Sequence, residues 1–450
     1  MTSALKRHLR GGAALVGSVL LLTACGGDGT PLSTFRNKSD QAERLSFSLW
    51  VLLALCAVVF VGVQGAVIYM ARKFRVDGDY TDDELYPDEE WPEQVHGNDS
   101  LEKLWTAIPF VVMAAMGVDS VMWVMGWGIS GLSEADARGT DPMIERVDVV
   151  GQQWWWEFQY HLTDSGMEAA GIEPGTAGPH IVTAGEMPLP RGEEIALNTT
   201  SRDVIHSFWI PALNGKRDAV PGRYNPWTIQ AGELGRWPGE CTEFCGLSHA
   251  FMEKWVVGLE LGEWQAWALN QAAPAEAPAE GTPAAAGWEV FAQQCASCHV
   301  INGLTTVSPG ETHLEIGVGG DRPADFGIYA TDIEAGLAPA RLIDRQTQVS
   351  GAAPNLTHFA TRSTFAGGIF DLYEVPDDAY FPRTATLEDG TVVELERTLN
   401  RGALEAWILN APEQKANAWD SPNGARGMRP FETLSAEEVD NLVAFLSSLD

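Results

Sequence analysis

Residues 46–70, SFSLWVLLALCAVVFVGVQGAVIYM, hold no charged side chain over 25 positions. At about 1.5 Å of rise per helical residue, that run is long enough to span the ~30 Å hydrocarbon core of a bilayer. Arg72, Lys73 and Arg75 follow at once, the basic flank expected at a cytoplasmic end. A second apolar run, LWTAIPFVVMAAMGVDSVMWVMGWGIS, covers residues 104–130 and contains Pro109 and one acid, Asp119. The two runs predict a hairpin of transmembrane helices over residues 46–71 and 104–128. Asp119 falls toward the outer end of its helix, facing a protein neighbour or interfacial water, and no role is assigned to it.

Upstream, Lys6, Arg7 and Arg10 precede GGAALVGSVLLLTA and then Cys25. A basic region before about a dozen apolar residues reads as a secretory signal over residues 1–24, too short to cross a bilayer. Leu22-Thr23-Ala24-Cys25 resembles a bacterial lipobox, with Cys25 as the lipidated first residue of the mature chain. Ordinary signal cleavage beside a chance Cys is the plainer alternative. An exported N-terminus, one crossing in and one crossing out place everything after residue 130 on the outer face of the membrane.

The 450 residues carry 29 Lys+Arg against 61 Asp+Glu, a formal net charge of −32. That balance excludes a nucleic-acid binder, because a polyanion requires a basic face. The acid surplus reads as a solvated surface or as a docking face for a basic partner.

Residues 131–270 read as strands. RVDVVGQQWWWEFQYHL, EIALNTTSRDVIHSFWIP, NPWTIQAGELGRWPGECTEFCG and KWVVGLEL are β-rich and punctuated by Gly, Pro and Asn. Their spacing predicts a small antiparallel β-sandwich or barrel, a fold that holds metals on loops at one end. The loop CTEFCGLSHAFM sets Cys241, Cys245, His249 and Met252 within twelve positions. Two thiolates with an imidazole suit zinc, copper or iron–sulfur, but a thioether is a poor zinc ligand and a familiar copper one. A redox disulfide between the two Cys explains neither His249 nor Met252. Upstream, DVIHSFWIP offers His206 as a second imidazole.

The pattern HSFWIP…KRDAVPGR…CTEFCGLSHAFM resembles the binuclear copper (CuA) site of cytochrome c oxidase subunit II, over about residues 46–265. The resemblance implies two membrane helices before an all-β, cupredoxin-like Greek-key domain. It implies that Cys241 and Cys245 bridge two coppers, that His206 and His249 each bind one, and that Met252 and the carbonyl of Glu243 are weak ligands. The Glu243 side chain is implied at a magnesium site shared with subunit I. Trp154, in GQQWWWEFQY, matches the position where electrons enter, although the family often has His where this chain has Gln153. Strand alternation expects Trp154 and Trp156 on one face and Trp155 on the other, and core aromatics are the plainer reading for two of the three. Glu102, in LEKLWTAIP, matches an acid at the mouth of a proton-uptake path, against a background of many acids in residues 77–102.

QAAPAEAPAEGTPAAAG, residues 271–287, reads as an extended linker that separates two folded units and lets the second move relative to the first. Beyond it, within residues 288–450, Cys295-Ala296-Ser297-Cys298-His299 carries CxxCH, the signature of covalent haem c with His299 on the iron. A thioredoxin-like redox pair would need a βαβ context, and zinc a second ligand pair. Met428 is the only methionine in this region and is expected as the sixth iron ligand, in competition with His313 and His358. APNLTHF around His358 resembles a structural motif of such domains, so that His358 is expected to hydrogen-bond. Ser435 and Glu438 form a capping box for a terminal helix. Residues 309–336 and 368–398 exceed a minimal class I cytochrome c, the all-α fold expected here.

The whole chain resembles a caa3-type oxidase subunit II in a bacterial cell membrane. Electrons are then expected to pass from cytochrome c or a bc complex to haem c, to CuA and to haem a in subunit I, which carries CuB, with subunit III alongside. The alternatives are the copper subunit of a nitric oxide reductase and a stand-alone anchored electron carrier.

Overall fold

The computed structural model describes residues 32–75, 96–124, 141–176, 178–305, 353–374, 384–386, 392–394, 397–421 and 426–450. The signal segment, Cys25, His313 and most of both long stretches lie outside them. The chain divides into two compact units, residues 47–133 and residues 1–46 with 134–450.

Helices α1 (Asp40–Lys73) and α2 (Asp99–Val124) are long and apolar enough to cross a membrane. Both begin earlier than their apolar runs. Asp40 and Glu43 fill the first turn of α1, and Asp99 and Glu102 that of α2, where the helix dipole favours acids. Arg72 and Lys73 close α1, as the dipole also favours. Large side chains such as Phe60, Val61, Phe110 and Met113 are more than half exposed, which suits a lipid surround. Ser48 Oγ lies 3.2 Å from Asp119 Oδ2, so the acid has a protein neighbour.

In the second unit, residues 141–272 form two facing five-stranded sheets. The first has the order β3 (Ile181–Ala184), β2 (Trp155–Leu162), β1 (Ile144–Gln152), β5 (Glu194–Ser201), β8 (Asn225–Gln230). The second has the order β4 (Glu186–Pro190), β10 (Glu253–Leu259), β9 (Gly235–Cys241), β6 (His206–Trp209), β7 (Lys216–Ala219). Val147, Val149, Phe158 and Tyr160 from one sheet share a core with Phe208, Trp237 and Val256 from the other. This is the cupredoxin-like β-domain expected, with two differences. The sheets are mixed, because β1 pairs with β5 and β4 with β10 in parallel; a chain that crosses between sheets can return from the same end. Two helices are added, α3 (Asp164–Ala169), capped by Thr163, and α4 (Leu261–Ala272), which buries Trp264 and Ala268.

The aromatic run is not one strand. Gln152 ends β1 and Trp155 starts β2, with Gln152 facing Trp155 across the ladder, so Gln153 and Trp154 make a hairpin turn. Strand alternation does not extend to Trp154, yet Trp154 and Trp156 lie in the same buried core as expected. All three Trp are buried, at 5%, 7% and 0% exposure for Trp154, Trp155 and Trp156.

Helix α5 (Pro283–Gln294) begins inside the compositional linker, with Thr282 as N-cap and Pro283 in the first turn, where a missing N–H costs nothing. It packs on α7 (Ala436–Ser447), whose start carries the reciprocal Ser435–Glu438 capping box. Phe291, Phe445, Leu442 and Leu446 form their core with Leu404 and Ile408 of α6 (Arg401–Gln414). The crossing is so close that a Cβ on Gly287 would collide with the Asn441 carbonyl. Two short hairpins, β11 (Thr364–Phe365) with β12 (Phe370–Asp371) and β13 (Thr384–Thr386) with β14 (Val392–Glu394), accompany the helices, so the described C-terminal residues are not purely helical. The β-domain and the C-terminal residues fall in the same compact unit.

Candidate metal centre and haem-attachment site

Strand β6 starts at His206, and β9 delivers Cys241 beside it, with Phe208 opposite Cys241 in the ladder. The loop from 242 to 252 then turns back through a 3-10 turn, His249–Phe251, into β10. Backbone bonds from Thr242 N to Ser207 O (3.1 Å) and from Cys241 N to Met252 O (3.1 Å) fasten its two ends. The donors converge as a result. Cys241 Sγ and Cys245 Sγ are 3.8 Å apart. His206 Nδ1 is 3.9 Å from Cys241 Sγ, and His249 Nδ1 is 3.5 Å from Cys245 Sγ. Met252 Sδ lies 3.8 Å from Cys245 Sγ, and the Glu243 carbonyl 3.3 Å from Cys241 Sγ. Cys241, Cys245, His206 and Met252 are buried, while the Glu243 side chain is exposed.

The electrostatics favour a cation between the sulfurs. The Cys241 thiol is held down to about 3 by its contact with Cys245, against burial, with help from His206 and the Ser207 and Glu243 backbone. The same contact, and then burial, raise Cys245. A bound metal ion would take the place of the proton the two sulfurs share. Burial pulls the His206 ring down, but bonds to Asp203 and Cys241 outweigh it and hold its pKa above the ordinary value. Two thiolates, two imidazoles, a thioether and a carbonyl are a donor set that fits copper better than zinc.

Asp203 Oδ1 receives His206 Nε2 at 2.8 Å, and its Oδ2 accepts the Gln153 backbone N–H at 2.7 Å. It was missed from the sequence, though it stands only three positions before His206. Gln153 Nε2 (2.6 Å) and Trp154 Nε1 (3.0 Å) both donate to the Cys245 carbonyl, which joins the aromatic turn to the copper loop. Lys254, fully buried, donates to the Glu240 carbonyl and lies over Trp156 (4.8 Å) and Phe208 (5.0 Å). Burial brings its pKa down to about 7. No local pattern distinguished it.

Cys295 ends α5, and the N–H groups of Cys298 and His299 both return to its carbonyl at 3.0 Å. His299 Nδ1 lies 2.9 Å from the Pro354 carbonyl, a bond that fixes the tautomer and leaves Nε2 as the free ligand. Burial pushes the Cys295 thiol up to about 12. Met428 is half-buried in the loop before α7, and its carbonyl accepts Asn417 Nδ2 at 3.0 Å. His358 bonds with both ring nitrogens, to the Asp450 and Ala273 carbonyls at 2.9 Å each. In the other unit, Glu102 is exposed and its Oε1 accepts the Asn98 N–H at 3.1 Å.

The chain is similar to several known proteins. The family model described as "Cytochrome C oxidase subunit II, periplasmic domain" matches residues 146–258. Cytochrome c oxidase subunit 2 of Alkalihalophilus pseudofirmus is 32% identical over 290 residues, covering 64% of this chain and 76% of that protein. The same subunit of Bacillus subtilis is 27% identical over 367 residues, covering 77% and 93%. The crystal structure of the periplasmic domain of subunit II of cytochrome oxidase of Bradyrhizobium japonicum is 27% identical, with a TM-score of 0.24, over 29% of this chain and 94% of that one.

Proposed function

The chain belongs to the cytochrome c oxidase subunit II family, a subunit of an oxidoreductase, and on that premise we propose that it receives electrons for a caa3-type oxidase. In this reading it takes them from an external donor and passes them, by way of a covalent haem c and CuA, to haem a in subunit I, where O2 is reduced to water with proton pumping. The observation that carries the reading is the convergence of four further donors on the Cys241–Cys245 pair, in the same chain as a CxxCH whose His is already oriented.

The residues divide the work. Cys241 and Cys245 would hold a pair of coppers between them, with His206 and His249 as the further strong donors and Met252 and the Glu243 carbonyl as the weak ones. Asp203 holds His206 so that Nδ1 faces the sulfurs, the role of an outer-shell carboxylate. Cys295 and Cys298 would anchor a haem covalently, with His299 and Met428 as the residues that would hold its iron. When bound, these groups would supply one-electron carriers. No donor position in the copper loop is left for a substrate, which suits a relay and not a reaction centre. Trp154 lies one hydrogen bond from the copper loop and is the point where electrons enter it. Glu102 stands at the mouth of a proton path into subunit I, and the exposed Glu243 carboxylate shares a magnesium ion with that subunit. Helices α1 and α2 anchor the chain in a bacterial cell membrane with both cofactor domains outside, Cys25 carries lipid, and subunit III completes the complex.

Metal and haem analysis of the detergent-purified complex tests the reading. Two coppers and one haem that resists acid–acetone extraction are expected for this subunit. A single copper, an extractable haem, or isolation as a lone subunit without haem a would overturn it.

A further inference from the structure

The C-terminal residues meet the β-domain along a continuous seam beside the copper loop. Three successive residues in the left-handed region, Ala366 (φ 55°), Gly367 (φ 76°) and Gly368 (φ 90°), turn the β11–β12 hairpin against it. The Gly367 carbonyl accepts Glu253 N at 3.0 Å, and the Gly368 carbonyl accepts Trp255 Nε1 at 3.1 Å. At the hairpin's base, Glu186 accepts Ser363 N at 3.1 Å and Thr364 Oγ1 at 2.8 Å. After α6, the buried Lys415 donates to the carbonyls of Trp154 and Ala366, at 2.8 Å each. The buried hydroxyl of Ser248 donates to the next carbonyl, that of Ala416. A Cβ on Gly367 would stand 2.8 Å from the Trp154 carbonyl, so only glycine lets the strands approach this closely.

Segment 415–418 also reaches the haem side. Asn417, next to Ala416, holds the Met428 carbonyl at 3.0 Å, and Ala418 pairs with Arg426 at the foot of the same loop. A short series of links therefore joins Met428 to Asn417, Ala416 to Ser248, and Ser248 to its neighbour His249. A second joins Lys415 to Trp154, and Trp154 to the Cys245 carbonyl. Both end at residues of the copper loop.

We propose that Lys415 and Ser248 are positioning residues that lock the C-terminal unit onto the electron-accepting face of the copper loop, closing Trp154 to soluble donors. The inference rests on the caa3-type reading for its cofactors. The step it would serve is a one-electron exchange between the groups held at His299 and at the Cys241–Cys245 pair, one oxidised as the other is reduced, with no bond made and no proton moved. Trp154, 5% exposed, offers no surface to a diffusing protein, and its backbone is covered by the same chain that holds Met428. Donors must then reach copper through the C-terminal unit. Docking is a conformational equilibrium, and removing a buried hydrogen-bond donor shifts it toward the open state.

The test uses the whole oxidase complex carrying Lys415→Met, Ser248→Ala, Lys415→Arg or Gly367→Ala. Amide hydrogen exchange over residues 364–368 and 415–418 reports the lock, and haem and copper spectra report the cofactors. Flash reduction of the haem reports its electron transfer to copper. With spectra unchanged, Lys415→Met, Ser248→Ala and Gly367→Ala should speed exchange along the seam and slow the internal transfer by about tenfold or more. Lys415→Arg should recover part of both, and soluble reduced cytochrome c should begin to reduce copper directly in the opened variants. Faster exchange with unchanged transfer, or unchanged exchange in all the variants, would overturn the proposal. Wild-type protein without copper or covalent haem, but with a protected seam, would instead sink the functional reading beneath it.

Discussion

Asp203 and His206 form a buried pair in which one carboxylate oxygen takes Nε2 at 2.8 Å, leaving Nδ1 turned toward Cys241. The same carboxylate receives the N–H of Gln153, so a single side chain aligns a metal donor and the turn that carries Trp154. A metal ligand that is free to rotate must be ordered on binding, and a carboxylate that orders it in advance raises affinity.

Asp203→Ala is expected to lower copper affinity roughly tenfold to a hundredfold, with secondary structure retained. Copper retained against a graded chelator, followed by the metal's visible band, measures this. Unchanged retention would mean that Trp156, whose ring stands edge-on to His206 at 5.8 Å, orients the imidazole by packing alone.

Asp148 on β1 should control the acid limb of β-domain stability. Burial raises its pKa, but His161 at 2.9 Å and Arg146 at 3.1 Å outweigh burial and leave it below the usual 3.8. A depressed carboxyl stabilises the fold fully above its ordinary pKa, and that stability drains away as pH falls through the lower folded value. Asp148→Asn should therefore cost about 2 kcal/mol at neutral pH and flatten the fall of the thermal midpoint below about pH 4. Parallel acid titrations of the melting temperature would expose a flat difference if the pairing were immaterial.

Met428→His should keep the haem six-coordinate while lowering its reduction potential, since a thioether ligand favours the ferrous state. Spectroelectrochemical titration reads the shift. A potential equal to that of the parent would assign the sixth position to another residue.

Gly287→Ala should destabilise the C-terminal helices by about 2 kcal/mol or more, because α5 and α7 have no space for a methyl group at the Asn441 carbonyl. Thermal unfolding monitored at the haem band, beside the copper band as an internal control, separates this from damage to the β-domain. Equal loss in both would mean that the two parts unfold as one.

Much of the donor set was legible because it is local. CTEFCGLSHAFM holds Cys241, Cys245, His249 and Met252 in one turn-rich loop, and the strand entering from DVIHSFWIP brings His206 to its side. The Ser435–Glu438 cap was legible for the same reason: its partners are three positions apart. The turn at Gln153 and Trp154 was not legible, because it sits inside a run whose aromatic residues favour strands. The linker's end was misplaced because Ala and Pro suit both an extended tether and a first helical turn, and Thr282 as the cap decides between them.

By itself the sequence determined the two apolar helices and the chemistry of the donors, since uncharged length and ligand softness are properties of residues and their near neighbours. Only the tertiary structure decided which nitrogen of His206 faces the sulfurs, that Lys254 is enclosed against Trp156 and Phe208, and that Trp154 is covered. Lys415 meets the Trp154 carbonyl across 261 positions of chain. No periodicity or spacing encodes such a bond, because it exists only once two separately formed cores have been brought into contact and a buried ammonium must find acceptors there.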